Sequence, residues 1–148
     1  MKNIIHLLVF LFCMLLTSQS YAQMKINHLR CEYLNNPLGI DEPQPRFTWQ
    51  LQSEQPAISQ EAFQFVVGTI SSDVARGKGN VWESGTIISS VIPAIYSGPE
   101  LEPYTRYYWS VRVKSNDRWS EWSSVAFFET GKMNANNWKG HWITDTHD

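Results

Sequence analysis

The 148-residue sequence sets twelve Lys and Arg against fourteen Asp and Glu, a formal net charge of −2 at pH 7. That balance gives no basic footprint for nucleic acid. Aromatic residues reach 14 %, with seven Trp, seven Phe and six Tyr, so one domain of this length can build a core from ring burial.

The chain opens with Lys2 and an apolar run from Ile4 to Leu16 interrupted only by His6. Ser20-Tyr21-Ala22 then places small residues at −3 and −1 before Gln23. These features predict a signal peptide over residues 1–22, cleaved after Ala22, and an exported protein. The run is shorter than the ~20 residues of a membrane span, so no membrane attachment is expected after cleavage. Cys13 follows Phe12 rather than a small residue, which argues against lipoprotein processing. Cys31 is then the only thiol left. A single thiol excludes an intramolecular disulfide framework, and this one reads as a small buried hydrophobe rather than a reactive group.

Past Gln23 no sustained helical periodicity appears. Short alternating apolar runs are separated by Pro, Gly, Asn and Ser clusters, the pattern of an all-β sandwich. Ile26 to Tyr33 reads as a first strand. Two loops follow, Asn35 to Gly39 and Asp41 to Pro45, whose X-Pro pairs hold the chain extended. Arg46 to Leu51 alternates Phe47, Trp49 and Leu51 against polar residues. Ala62 to Ile70 is the third strand, with Phe63, Phe65 and Val67 on one face. Arg76 to Asn80 is a turn, and Val81 to Ile88 a short fourth strand. Thr105 to Ser115 has the clearest register: Tyr107, Trp109, Val111 and Val113 share one face, with Arg106, Tyr108, Ser110, Arg112 and Lys114 on the other. Val125 to Thr130 closes the domain. About seven strands over residues 24–131 predict a fibronectin type III or immunoglobulin-like sandwich. Within it Trp49 and Trp109 are core residues. Tyr107, after Leu101-x-Pro103-x-Thr105, is placed to bond its hydroxyl back to the backbone at a tyrosine corner.

Trp119-Ser120-Glu121-Trp122-Ser123 matches the Trp-Ser-x-Trp-Ser signature of cytokine receptors. Paired cysteines and glycosylation sequons are missing from the predicted mature sequence, and no membrane-length apolar run follows, so a receptor reading is poorly supported. The motif reads instead as a structural stack, with Trp119 and Trp122 packed on arginines from the outer face of the preceding strand. Arg112 is the best partner, beside Arg106 and Lys114.

Several motifs in order resemble the opening of bacterial α-L-rhamnosidases of glycoside hydrolase family 78. They are Cys31-Glu32-Tyr33, Asn36-Pro37-Leu38-Gly39-Ile40-Asp41 and Pro45-Arg46-Phe47-Thr48-Trp49, then Val81-Trp82-Glu83-Ser84-Gly85 and Tyr96-Ser97-Gly98-Pro99. Tyr107 to Val113, Phe128-Glu129-Thr130-Gly131 and Trp138-Lys139-Gly140-His141-Trp142-Ile143 complete the series. The resemblance implies a bacterial N-terminal sandwich module that precedes further β-domains and a catalytic helical barrel. It also implies that residues 132–148 are a linker and the truncated start of the next domain, and that neighbouring domains are the partners. The family's catalytic acids have no matching positions here.

Tested independently, the acids nearest aromatic residues are Glu83, Glu121 and Glu129. Each reads as a solvated side chain rather than half of a hydrolytic carboxyl pair. His141 and His147 form no cluster at metal-ligand spacing. No nucleotide or hydrolase fingerprint occurs, so no catalytic residue, metal or cofactor is expected. Trp82, Trp119, Trp122 and Trp138 are candidate sugar-stacking platforms, against a reading in which Trp119 and Trp122 stack on arginine while Trp138 and Trp142 pack into a following domain. The sequence therefore points to a non-catalytic accessory module of an exported, periplasmic or extracellular rhamnosidase-like enzyme. The alternative is a stand-alone sandwich that binds carbohydrate (a polysaccharide) or protein.

Overall fold

The structure, a computed structural model, describes residues 24–53, 58–134 and 140. The predicted signal peptide, Trp138, His141, Trp142 and His147 lie outside those residues.

Alternation in the second predicted strand sets one wall of the core. In β2 (Arg46–Gln52), Phe47 and Trp49 turn inward and are buried, while Arg46 and Gln50 face out. β1 (Lys25–Cys31) pairs antiparallel with it, but not with a simple two-residue repeat. Asn27 opposes Gln50 and Arg30 opposes Thr48, so β1 carries an extra residue at a bulge. His28 takes φ 50 there, and Ile26, Leu29 and Cys31 all reach the core. β1 also stops two residues earlier than predicted, because Glu32 and Tyr33 adopt φ 48 and 64 and turn the chain. β6 (Ala94–Ile95), not anticipated from sequence, pairs with the start of β2 and completes a sheet ordered β1-β2-β6.

The second sheet is built around β3 (Ala62–Gly68) and β7 (Arg106–Ser115), which pair antiparallel from Ala62–Lys114 to Gly68–Tyr108. The predicted strand Val81–Ile88 is in fact two short pieces, β4 (Trp82–Glu83) and β5 (Ile87–Ile88), both on the free edge of β3. Likewise β8 (Arg118–Trp119) and β9 (Ala126–Glu129) share the far edge of β7. Counted by position across the sheets, β4 with β5 and β8 with β9 each fill one lane. The domain thus has three lanes in one sheet and four in the other, the immunoglobulin-like sandwich that the strand spacing predicts.

Between the sheets the rings form a continuous set. Phe47 lies 4.6 Å from Phe65, 4.8 Å from Trp109 and 5.6 Å from Phe128 by ring centroids, mostly tilted or edge-on. Trp49 packs edge-on to Phe63, and its indole N–H donates to Gln60 Oε1 at 3.0 Å. Cys31 is buried in the same core, and burial raises its pKa to about 12, so it is a packed thiol rather than a nucleophile.

The outer face of the four-lane sheet is not left to solvent. A single turn of helix, α1 (Ser71–Val74), which no periodicity signals, folds back against β3 and β7, with Val74 beside Gly68 and Ser110. The fully buried Ser110 hydroxyl donates to the Val74 carbonyl at 2.9 Å. Ser110 is on the predicted face, but that face is covered here.

Candidate functional site

Two surface constructions stand apart from the core, and both are assembled from the sequence motifs. The first is the Trp119–Ser123 segment. On the edge of β7 away from β3, the stretch between β8 and β9 has no strand opposite Val111 and Val113, and two serines take the strand's place. Ser120 N–H donates to the Val113 carbonyl at 2.8 Å, and Val113 N–H donates to Ser120 Oγ at 3.0 Å. Ser123 repeats this on Val111, at 2.9 and 3.2 Å. Each serine thus satisfies one donor and one acceptor that a strand would otherwise meet. The serines fall three apart in their segment but address residues two apart in β7, so the segment cannot be a regular strand.

That geometry brings the two tryptophans to one arginine. The Arg112 guanidinium lies 5.0 Å from the Trp119 ring and 5.1 Å from the Trp122 ring, and its Nε donates to Gln64 Oε1 of β3 at 2.7 Å. Arg106 and Lys114, the other cations on this face, do not join the stack. Arg106 sits over Phe127 and pairs with Glu129 at 3.0 Å, while Lys114 reaches Asp117 at 2.8 Å. On another side of Trp122 the backbone of Gly77 comes so close that a Cβ there would fall 2.2 Å from the indole nitrogen. Gly77 also has φ +73, so the turn after α1 needs glycine both for its conformation and for its contact. Beside Trp122 an open cleft of about 420 Å³ is lined by Gln64, Arg76, Lys78, Glu83 and Arg112.

Trp82, the third candidate platform, is half-buried, with its ring 5.6 Å from Phe65 and 5.0 Å from Tyr96. The Val81–Gly85 and Tyr96–Pro99 motifs, far apart in sequence, therefore meet at one ring pair. The Tyr96 hydroxyl donates to the Pro99 carbonyl at 2.8 Å, and burial raises its pKa to about 12. At the predicted corner, Tyr107 Oη accepts the Glu102 N–H at 2.8 Å, and its ring stacks on Phe128 at 5.4 Å.

The second construction joins the Asn36–Asp41 and Phe128–Gly131 motifs. Phe127 N–H donates to Asn36 Oδ1, Glu129 N–H to the Pro37 carbonyl, and Ile40 N–H to the Glu129 carbonyl. Gly131 N–H then donates to the Ile40 carbonyl and Met133 N–H to Asp41 Oδ1, the latter at 2.7 Å. These bonds cover the outer edge of β9, which would otherwise be an open template for pairing. They also clamp the outgoing chain as far as Met133. Gly131 is required by close approach, since a Cβ would stand 2.6 Å from Asp41 Oδ1. Thr130, buried, is bonded on three sides, to Glu102, Thr105 N–H and the Thr105 carbonyl. A third motif pair meets at the root of β2, where Glu32 holds Arg46 through both backbone and side chain, and Arg46 lies 5.2 Å from the Tyr33 ring.

The acids weighed for catalysis are dispersed. Glu83 is exposed and accepts the Gly79 N–H, Glu121 is exposed, and Glu129 is committed to Arg106. Among the described residues no group of three or more His, Cys, Asp or Glu is arranged to hold a metal, and no helix is long and apolar enough to cross a membrane. Sequence reading located the stack and the corner but missed the serine seam, Gly77 and the clamp. The clamp's only sequence signal was that both of its motifs recur in the family resemblance.

Comparison with known proteins agrees with this architecture. A family described as "Rha78A-like, N-terminal immunoglobulin domain" matches residues 26–134. An α-L-rhamnosidase of Streptomyces avermitilis is 39 % identical over 127 residues, covering 83 % of this chain and 12 % of the relative. The crystal structure of a Streptomyces avermitilis α-L-rhamnosidase complexed with L-rhamnose superposes with a TM-score of 0.77 at 37 % identity, over 82 % of this chain and 12 % of that one. A structure of the Dictyoglumus thermophilum α-L-rhamnosidase gives 0.79 at 39 %, over 83 % and 14 %. The chain spans only about an eighth to a sixth of the length of the curated relatives it matches. The match over residues 26–134, on a fold with the same architecture, makes this chain a member of the Rha78A-like N-terminal immunoglobulin domain family.

Proposed function

We propose that this chain is an exported, non-catalytic accessory module of an α-L-rhamnosidase-type glycoside hydrolase, which spaces and docks neighbouring domains. The observation that carries this reading is the family match across almost all of the sandwich, set against the small share of each rhamnosidase relative that the chain covers. The dispersal of Glu83, Glu121 and Glu129 supports the non-catalytic part, because glycoside hydrolysis needs two carboxyls flanking one bond. Export to the periplasm or medium rests on the features of residues 1–22.

The purified chain is expected to show no turnover of an aryl α-L-rhamnoside. Turnover that survives removal of host enzymes ends this reading. Secreted protein should begin at Gln23 on N-terminal sequencing, and DNA downstream of Asp148 should encode the remaining domains, in frame or after a frameshift. An unrelated gene there favours a stand-alone binding module. One observation supports that second reading, the open cleft beside Trp122. Quenching of tryptophan fluorescence that saturates with a rhamnose-containing oligosaccharide would establish it.

A further inference from the structure

Two of the large apolar side chains left exposed on the surface flank the segment by which the chain leaves the sandwich. Leu38 is 66 % exposed and Tyr104 63 %, and both stand against the outgoing strap: Tyr104 N–H donates to the Gly131 carbonyl, and Gly39, next to Leu38, brings its carbonyl to Gly131. Tyr33 and Leu34, also about half exposed, belong to the same β1–β2 connection that supplies the clamp. Exposed leucines taken singly need no explanation, but a gathered set does. Tyr104 carries a second signal. It holds φ 51, a left-handed backbone that disfavours a bulky residue, and its ring has no stacking partner among the described residues. Strain kept at an exposed aromatic whose ring stacks on none of the described residues suggests a contact outside the domain.

The clamp identifies the occupant. Backbone and side-chain bonds fix the strap through Met133, so the chain departs from between Leu38 and Tyr104 in a set direction rather than on a loose tether. We infer that the surface formed by Leu38, Tyr104, Tyr33 and Leu34 is the docking face for the domain that follows this one in the same polypeptide. This deepens the accessory-module reading and rests on it. The opposite end of the sandwich, marked by exposed Ile88, serves as the internal control.

The full 148-residue chain, isotopically labelled, is titrated with the Streptomyces avermitilis α-L-rhamnosidase from which the matching segment has been deleted. Amide shifts should move at Leu38, Tyr104 and Gly131 and stay fixed at Ile88. Leu38→Asp with Tyr104→Asp should weaken binding at least tenfold, and Ile88→Asp less than twofold, with unchanged melting of both variants showing that they fold. Shifts centred on Ile88 or Trp122 overturn the surface assignment while leaving the accessory-module reading intact. Should the deleted enzyme not fold, this chain is fused in place of the missing segment. The fusion should then melt in one transition, which the double variant splits into two. Two transitions in the unmutated fusion, or no binding to a folded deletion enzyme, remove the accessory-module reading as well.

Discussion

Trp109 and Trp122 lie on opposite faces of the four-lane sheet, and the two are held by different physics. Trp109 is fully buried, with Phe47 and Phe65 within about 5 Å of its ring, so its stability contribution is area removed from water and close packing. Trp122 is only partly buried and is held by a guanidinium, a glycine backbone and two serines that anchor its segment. Removing a core ring leaves a cavity that the two sheets cannot close. Removing a stacked ring exposes an arginine that water can solvate. A tryptophan in this fold therefore says little about its own importance until its face is known.

The largest expected effect tests the core side of this contrast. Trp109→Ala and Trp49→Ala should each cost about 3–5 kcal/mol in urea unfolding, enough to abolish folding of a marginal sandwich. Melting within a few degrees of the parent would show that the inner face is misassigned.

Gly77→Ala comes next and probes the stack from below. Alanine must hold a left-handed backbone and displace Trp122, which together should cost about 1–3 kcal/mol. The same change in a Trp122→Ala background should cost less, since only the backbone penalty remains. Equal costs in both backgrounds would mean that the glycine serves its turn alone.

Arg112→Lys keeps the charge but loses the planar stack and the bond to Gln64, for an expected loss of about 0.5–2 kcal/mol. A double-mutant cycle with Trp122→Ala should be non-additive. Additive energies, combined with a fluorescence change that saturates with oligosaccharide, would turn the outer tryptophans from a structural stack into a binding platform.

The smallest effect appears on acidification, where core and surface should again separate. The buried Cys31 and Tyr96 titrate only near 12 and contribute nothing to the acid limb. Glu32 is different: hydrogen bonds from Arg46 hold its carboxyl below the usual range. A lowered folded pKa gives stability that is complete above the unfolded value of about 4.3 and is lost as pH falls through the folded one. Glu32→Gln should thus be less stable than the parent at pH 7, with the gap closing below about pH 4. A gap that stays constant with pH would mean that the pair acts through packing alone.

Legibility from sequence followed the same division. Phe47 and Trp49 on β2, and Tyr107 to Val113 on β7, were readable because strand alternation is local and a one-residue slip would bury arginines. Arg112 could be named as the partner of both tryptophans because it sits mid-strand on the outer face. The bulge at His28 could not be read, since only pairing with β2 shows that Leu29 must also turn inward. β6 and β8 are two residues long, too short for any period, and exist because β2 and β7 offer them an edge. Glu83 and Ile87 look like one strand in sequence but pair with β3 as two.

By itself, then, the sequence determined the sandwich, the inner rings and the family resemblance, all of which depend on residues close together in the chain. Only the tertiary structure decided that α1 covers Ser110, that Ser120 and Ser123 replace a strand, and that Asn36–Asp41 clamps Gly131 and Met133. Those contacts join segments that no local pattern relates, and the serine seam and the bonds along β9 are fixed by which unpaired backbone groups the folded sheets leave exposed.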